Sequence, residues 1–285
     1  MANKKCLIAG LPASGKSTYI GALWYNLRHD TDDIDGMKMR SDDNLPKNIT
    51  TLSSLSDLWK VGTRIDRTNS NATESVQINL EDKETKLKFI VEVPDFLGET
   101  FQDILDLKES PKLSEWCEES DVLLYFIEEL NHGEFEDDDI YDESETTDEQ
   151  DVLPPLVSKD MTPDAQNMMI LKYLMSKKIF SKVVIVLSQW DKLTKDGTKS
   201  RNPESYIQKK SPALYNFLHH HFKDCNIVGM SAQGCDYPDN NTPKEELDAF
   251  KRKLVSLTRS GKRAFVEVGD TIIYDLSLPL YKLFH

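Results

Sequence analysis

The sequence predicts an α/β fold, a mostly parallel sheet with one antiparallel strand and helices on both faces. Two observations carry that prediction. Short apolar runs alternate with helical patterns along most of the chain, which is the order that strand–helix–strand units produce. The stretch Gly10-Leu11-Pro12-Ala13-Ser14-Gly15-Lys16-Ser17-Thr18 also fits the phosphate-loop pattern G-x-x-x-x-G-K-[ST] without a mismatch. It stands between the apolar run Cys6-Leu7-Ile8-Ala9 and a helical pattern that opens at Ser17, where a loop of this kind works.

Strands are expected over residues 5–9, 75–80, 86–93, 121–127, 182–188 and 225–230. Helices are expected over 16–29, 51–60, 99–108, 164–177, 211–222 and 243–258. Strands 75–80 and 86–93 are joined by the turn Glu81-Asp82-Lys83-Glu84 and form the antiparallel pair. Residues 30–50, rich in Asp, Asn and Ser, read as a mobile loop that continues into a switch-like region to about residue 74. The C-terminal piece 264–285 reads as a short strand followed by a last helix or extended cover. All of this is expected to form a single domain spanning 1–285.

Composition excludes several classes. The 285 residues carry 39% hydrophobic side chains, enough for a sizeable folded core. No apolar run approaches the ~20 residues of a membrane span. The first residues run straight into a strand and leave no room for a secretion signal, so a cytoplasmic protein is expected. Cys6, Cys117, Cys225 and Cys235 lack metal-ligand spacing and read as reduced thiols. A net charge of −14 argues against nucleic-acid and anionic-membrane partners. Much of it is local: Glu134 to Asp151 holds eleven acidic residues and no Lys or Arg, leaving about −3 elsewhere. That block belongs to a surface insertion over about 131–162, expected to be solvated and poorly packed.

Successive backbone N–H groups of a phosphate loop wrap a β-phosphate, and the following helix N-terminus adds positive partial charge. Here Gly10, Ala13, Ser14, Gly15, Lys16, Ser17 and Thr18 are the nucleotide-binding candidates. Lys16 would reach the β- and γ-phosphates, Ser17 would hold Mg²⁺, and Thr18 would reach the α-phosphate. Strand 86–93 ends in Val91-Glu92-Val93-Pro94-Asp95-Phe96-Leu97-Gly98-Glu99, a D-x-x-G string. Asp95 in that place orients the Mg²⁺ shell, and the Gly98 N–H senses the γ-phosphate.

Strand 182–188 leads into Ser188-Gln189-Trp190-Asp191-Lys192. GTP-binding proteins place N-K-x-D or T-K-x-D here, the aspartate pairing with the two guanine N–H donors. Asp191 is retained, whereas Ser188 and Gln189 replace the residues that support it. Strand 225–230 then leads into Ser231-Ala232-Gln233, similar to the S-A-K loop whose backbone contacts guanine O6. Four elements in this order, each at a strand end, point to a Ras-like GTPase with GTP or GDP as ligand and Mg²⁺ as cofactor.

The strings Gly10-Leu11-Pro12 through Lys16, Ala22-Leu23-Trp24, Asp95-Phe96-Leu97-Gly98-Glu99, Ser188-Gln189-Trp190-Asp191 and Gly229-Met230-Ser231-Ala232-Gln233-Gly234 resemble the bacterial double-GTPase family. The resemblance spans nearly the whole chain outside the acidic insertion. It implies a translation-factor-like GTPase domain, a partner from the same operon with a second GTPase domain, and a role in bacterial conflict or anti-phage defence.

Glu99 stands where many relatives carry a water-orienting glutamine. It either accepts from the attacking water, with slow turnover unless a partner stimulates it, or opens its helix with a favourable acid. Thr63, Thr68 and Thr73 are candidates for the switch threonine that reaches Mg²⁺, and Thr68 is preferred. Arg64 or Arg67 is either a finger acting in cis or a solvated side chain. His219-His220-His221 ends a helix, and consecutive helical residues diverge, so no metal site is expected there. Trp24 and Tyr25 read as core, whereas Trp190 either stacks near the base or packs beneath its loop. Nucleotide-dependent dimerisation stays open. So do two rival functions, an ATP-hydrolysing phosphate-loop protein and a GTP-bound scaffold without useful hydrolysis.

Overall fold

The computed structural model describes residues 4–29, 37–42, 44–63, 75–93, 99–128, 161–194, 202–235, 238 and 242–285. The strands are β1 (Lys4–Gly10), β2 (Met39–Ser41), β3 (Val76–Asp82), β4 (Lys88–Val93), β5 (Val122–Ile127), β6 (Lys182–Leu187), β7 (Cys225–Ser231), β8 (Phe265–Val268) and β9 (Thr271–Ile273). The helices are α1 (Lys16–His29), α2 (Ile49–Val61), α3 (Glu99–Leu105), α4 (Pro111–Glu119), α5 (Pro163–Lys177), α6 (Asp191–Thr194), α7 (Pro203–Lys210), α8 (Pro212–His221), α9 (Lys244–Arg259) and α10 (Leu278–Phe284).

The strands form one sheet in the order β2-β3-β4-β1-β5-β6-β7-β8-β9. Strands β4, β1, β5, β6 and β7 run parallel, and β3 is the expected antiparallel strand. The C-terminal piece adds β8, reversed against β7, and β9, reversed against β8.

Strand β5 (VLLYFI) is buried at every position, as is β6 from Val183 onward. A parallel strand covered on both faces needs such continuous apolar runs. Period-two alternation divides them. Cys6, Ile8, Val122, Leu124, Phe126, Val184 and Val186 face one core, packed by residues of α1, α2 and α10. Leu7, Ala9, Leu123, Tyr125, Ile127, Val183 and Ile185 face the other, packed by residues of α3, α4, α5, α7 and α8.

All six expected strands and all six expected helices are present, within a few residues of the expected bounds. Trp24 is buried, as expected, and Tyr25 packs against the same core. The segment 30–50 corrects the loop reading in its described part: Met39–Ser41 is a strand, and α2 already begins at Ile49. No local pattern marks β2, because it is held by distant residues. Lys38 N donates to Asp275 Oδ2 (2.9 Å) and Met39 N to Ser277 Oγ (3.2 Å).

Two further helices, α4 and α7, were missed by the sequence reading although each carries a local signal. Leu113, Trp116 and Cys117 give α4 a buried stripe at i, i+3 and i+4 behind Pro111. Asn202 caps α7, its Oδ1 accepting from Glu204 N (3.0 Å) and Ser205 N (3.3 Å), with Pro203 at the first helical position. Most of the acidic insertion, residues 129–160, lies outside the described residues.

Candidate nucleotide-binding site

Parallel strands β1, β5, β6 and β7 end at the same edge of the sheet, so their following loops meet there. The edge that gathers the carboxyl ends of parallel strands is where α/β sheets bind ligands.

The loop after β1 begins at Gly10, which pairs in register with Phe126. A Cβ on Gly10 would lie 2.4 Å from Phe126 O and 3.0 Å from Ser14 Oγ, and φ is 147°. Only glycine fits that close approach. Ala13 (φ 64°) and Gly15 (φ 87°) also lie in the left-handed region, bending the chain around the loop. Ser14 is buried, and α1 starts at Lys16, so Ser17 and Thr18 occupy its first turn.

The Lys16 ammonium donates to Gly10 O (2.8 Å), Leu11 O (2.7 Å) and Ser14 Oγ (3.1 Å), so it lies across the loop it belongs to. Burial draws its pKa down to about 7. A neighbouring anion would reverse that effect. The buried Phe101 ring of α3 lies 5.5 Å from the same ammonium. The helix that follows the D-x-x-G string therefore packs beside the phosphate loop.

The loop after β6 lies against the first. Ser188 is buried beneath Gly15: a Cβ on that glycine would meet Ser188 Cβ at 3.5 Å and Oγ at 3.7 Å. Gln189 adopts φ 53°, and its Nε2 donates to Glu128 Oε1 at 2.7 Å. Asp191 opens α6 and is partly buried. Trp190 does not stack at the surface. It is fully buried, T-shaped against Tyr206 at 5.3 Å, with Nε1 donating to Glu267 Oε2 at 2.6 Å.

In the loop after β7, Ser231 Oγ accepts from Gly234 N (3.0 Å), Ala232 O from Trp59 Nε1 (2.8 Å) and Gln233 O from Arg263 Nε (3.2 Å). The two distinctive strings meet physically. A Cβ on Gly229 would lie 2.4 Å from the Trp190 indole, and Trp190 N donates to Met230 O at 3.1 Å. The S-x-W-D tryptophan and the first glycine of G-x-S-A-Q-G form one packing unit.

Thus Gly10, Ala13, Ser14, Gly15, Lys16, Ser17 and Thr18 share this edge of the sheet with Gln189, Asp191, Ser231, Ala232 and Gln233. Arg64, Arg67, Thr68, Thr73, Asp95 and Gly98 lie outside the described residues, as does the side chain of Glu99, whose backbone opens α3. Sequence reasoning named Ser188 only as a replaced motif residue, and it missed Glu128, Trp59, Arg263 and Glu267, which carry no motif signal.

Among the described residues no group of three His, Cys, Asp or Glu side chains could hold a metal, and His219, His220 and His221 close α8 as expected. Of the Mg²⁺ candidates only Ser17 lies among the described residues, in the first turn of α1, and its hydroxyl is an oxygen donor of the kind Mg²⁺ takes. Among the described residues no helix is long and apolar enough to cross a membrane. A groove of about 830 Å³ lies elsewhere, between Arg28 of α1 and Ile49, Ser53, Asp57 and Val61 of α2.

The family model described as Double-GTPase 1 matches residues 7–283. The chain belongs to the Double-GTPase 1 family. The resemblance read from the motif strings is thereby borne out, over a span that includes the C-terminal strands. No curated protein matches this Double-GTPase 1 chain. Among solved structures it is similar to the GTPase-like domain of Ski7 from S. cerevisiae bound to GTP, at 16% identity and TM-score 0.43. That match covers 88% of this chain and 50% of the Ski7 chain, so this chain spans about half of that relative's length. It is also similar to the signal recognition particle receptor SRβ-GTP/SRX complex of Chaetomium thermophilum, at 14% identity and TM-score 0.34, covering 88% and 99%.

Proposed function

We propose that this Double-GTPase 1 chain is a single-domain Mg²⁺-dependent switch that binds GTP and hydrolyses it to GDP and phosphate. One observation carries the reading. The phosphate loop lies at the same sheet edge as the two loops that carry Asp191 and Ser231–Gln233, with Ser188 packed directly beneath Gly15.

In this reading the backbone N–H groups of Ala13 to Ser17 cradle the β-phosphate, and Thr18 reaches the α-phosphate. Lys16 exchanges its bonds to Gly10 O and Leu11 O for phosphate oxygens and holds its proton there. Asp191 accepts from the two guanine N–H donors, Gln189 flanks the base, and the loop Ser231–Ala232–Gln233 meets O6. Ser17 and Asp95, with the Thr68 hydroxyl, would hold Mg²⁺, which when bound neutralises charge on the β- and γ-oxygens. Glu99 and Arg64 are the candidates to orient water and to offset developing charge. Gly98 would report the γ-phosphate, and its release after hydrolysis is the switch step. Phosphoryl transfer of this kind is mainly positioning and electrostatics, which a preorganised loop supplies.

Family membership supports a setting with a second GTPase or effector as partner, in a bacterial conflict or anti-phage system. Co-purification of the chain with its genomic neighbours tests that.

The site is tested by competition of Mg²⁺-GTP, GDP and ATP against a fluorescent guanine nucleotide, on wild type and Asp191→Ala. Displacement by GTP and GDP but not ATP, weakened in the variant, is expected. Equal displacement by ATP would move the protein to ATP chemistry. Tight GTP binding without phosphate release, even with partners added, would make it a scaffold.

A further inference from the structure

The loops that carry Asp191 and Ser231–Gln233 are each gripped from behind by a buried charged residue of the C-terminal segment. Glu267 on β8 is fully buried, and its Oε2 accepts from Nε1 of Trp190, the neighbour of Asp191, at 2.6 Å. Arg263, 2% exposed, donates through Nε to Gln233 O (3.2 Å) and through Nη1 to Lys60 O (3.3 Å) and Thr258 Oγ1 (3.4 Å). Its guanidinium lies 3.8 Å from the centroid of the Trp59 ring, whose Nε1 donates to Ala232 O at 2.8 Å. Gly234 completes the contact, since a Cβ there would fall 1.6 Å from Arg263 O.

Core stability alone does not explain this pair. A buried charge is costly, and apolar side chains of similar volume commonly serve a core equally well. A carboxylate and a guanidinium supply what leucine cannot, directed hydrogen bonds that fix the orientation of a chosen group. Both sets of bonds end one residue, or none, away from the groups proposed to read the base.

We propose that Glu267 and Arg263 are positioning residues for base recognition. Glu267 orients Asp191 through Trp190. Arg263, stacked on Trp59, sets the carbonyls of Ala232 and Gln233 and ties their loop to Lys60 at the end of α2. Arg263 thus joins the base loop to the last turn of α2. The inference rests on the guanine-nucleotide reading above. It adds residues that touch no nucleotide and belong to no motif.

The test compares GDP with inosine diphosphate, which lacks the 2-amino group that Asp191 would read but keeps O6. Affinities and dissociation rates are measured with Mg²⁺ on the full chain, alongside the Tm of each variant. Wild type is expected to prefer GDP by about tenfold or more, the worth of one hydrogen bond to a charged group. Glu267→Leu and Trp190→Phe collapse that preference, whereas Glu267→Gln, whose amide oxygen still accepts from Trp190, retains it. Arg263→Lys and Trp59→Phe speed release of both nucleotides by about tenfold, because the O6 contact is common to both. Should Glu267→Leu fail to fold, Trp190→Phe removes the same hydrogen bond and decides the question.

A lowered Tm with wild-type base preference and release rates would overturn the proposal and leave both residues as core. A preference lost in Asp191→Ala but intact in the Glu267 and Arg263 variants would overturn it while sparing the guanine site. Failure of wild type to bind GDP would overturn both.

Discussion

At Lys16 the observed contacts bear directly on the proposed chemistry. Its ammonium is held by two carbonyls of its own loop, and burial draws its pKa from 10.5 to about 7. The unfolded chain therefore binds more protons between about pH 7 and 10.5. The burial penalty is fully felt below pH 7 and relieved as pH rises through that window. Phosphate oxygens would restore the charge, so nucleotide binding at pH 8 is expected to take up a fraction of a proton. Calorimetry in buffers of different ionisation enthalpy measures this, and Lys16→Ala should abolish it. Gly10→Ala is expected to lose nucleotide binding and about 1–3 kcal/mol of stability, because its Cβ would meet Phe126 O at 2.4 Å. Urea midpoints with and without GDP check both. The phosphate loop was legible as a motif because its pattern lies in neighbouring residues. Ser188 beneath Gly15, and Glu128 bonded to Gln189, come from other strands and leave little or no local trace.

At the scale of elements, the central strands were legible because burial on both faces demands unbroken apolar runs, as in β5 and β6. Helix α1 was legible from the loop that precedes it. The S-x-W-D and G-x-S-A-Q-G strings were legible as strings, but their connection was not. Trp190 fills the space that Gly229 leaves, which joins β6 and β7 just below the two proposed base-reading loops. Gly229→Ala is therefore expected to displace the indole and cost about 1–3 kcal/mol. A lowered urea midpoint and a red-shifted tryptophan emission would report it. An unchanged spectrum would show that the indole can yield without leaving its site.

Across the whole molecule, the two edge regions of the sheet are tied by one polar hub. Asp275, two residues beyond β9, accepts from Lys38 N, just before β2, and from Ser277 N (2.7 Å) and Oγ (2.6 Å). Ser277 Oγ in turn accepts from Met39 N, and Tyr19 OH of α1 donates to Leu276 O (3.1 Å). The family match runs to residue 283, across this strap. Asp275→Ala leaves several donors without an acceptor and is expected to cost about 1–3 kcal/mol. Hydrogen exchange should show β2 and β9 loosening together, and loosening of one edge alone would contradict the hub. Near the same corner, burial opposes ionisation of Asp82. The N–H groups of Thr85 and Glu84 and the His285 ring outweigh it and hold the carboxyl below its ordinary value. Its contribution is present at neutral pH and lost as pH falls through the carboxylate range.

The sequence by itself determined the α/β class, the six inner strands and the family, together with the phosphate loop and the order of the base-loop strings. Each of these is written in neighbouring residues or in a short period. The tertiary structure decided what distant residues must share. It set Trp190 inward on Gly229, Arg263 on Trp59 behind the Ser231–Gln233 loop, and β2 against a C-terminal strap more than two hundred residues away. Such contacts arise from packing and from the need to satisfy buried polar groups, and no local pattern encodes a partner at that distance.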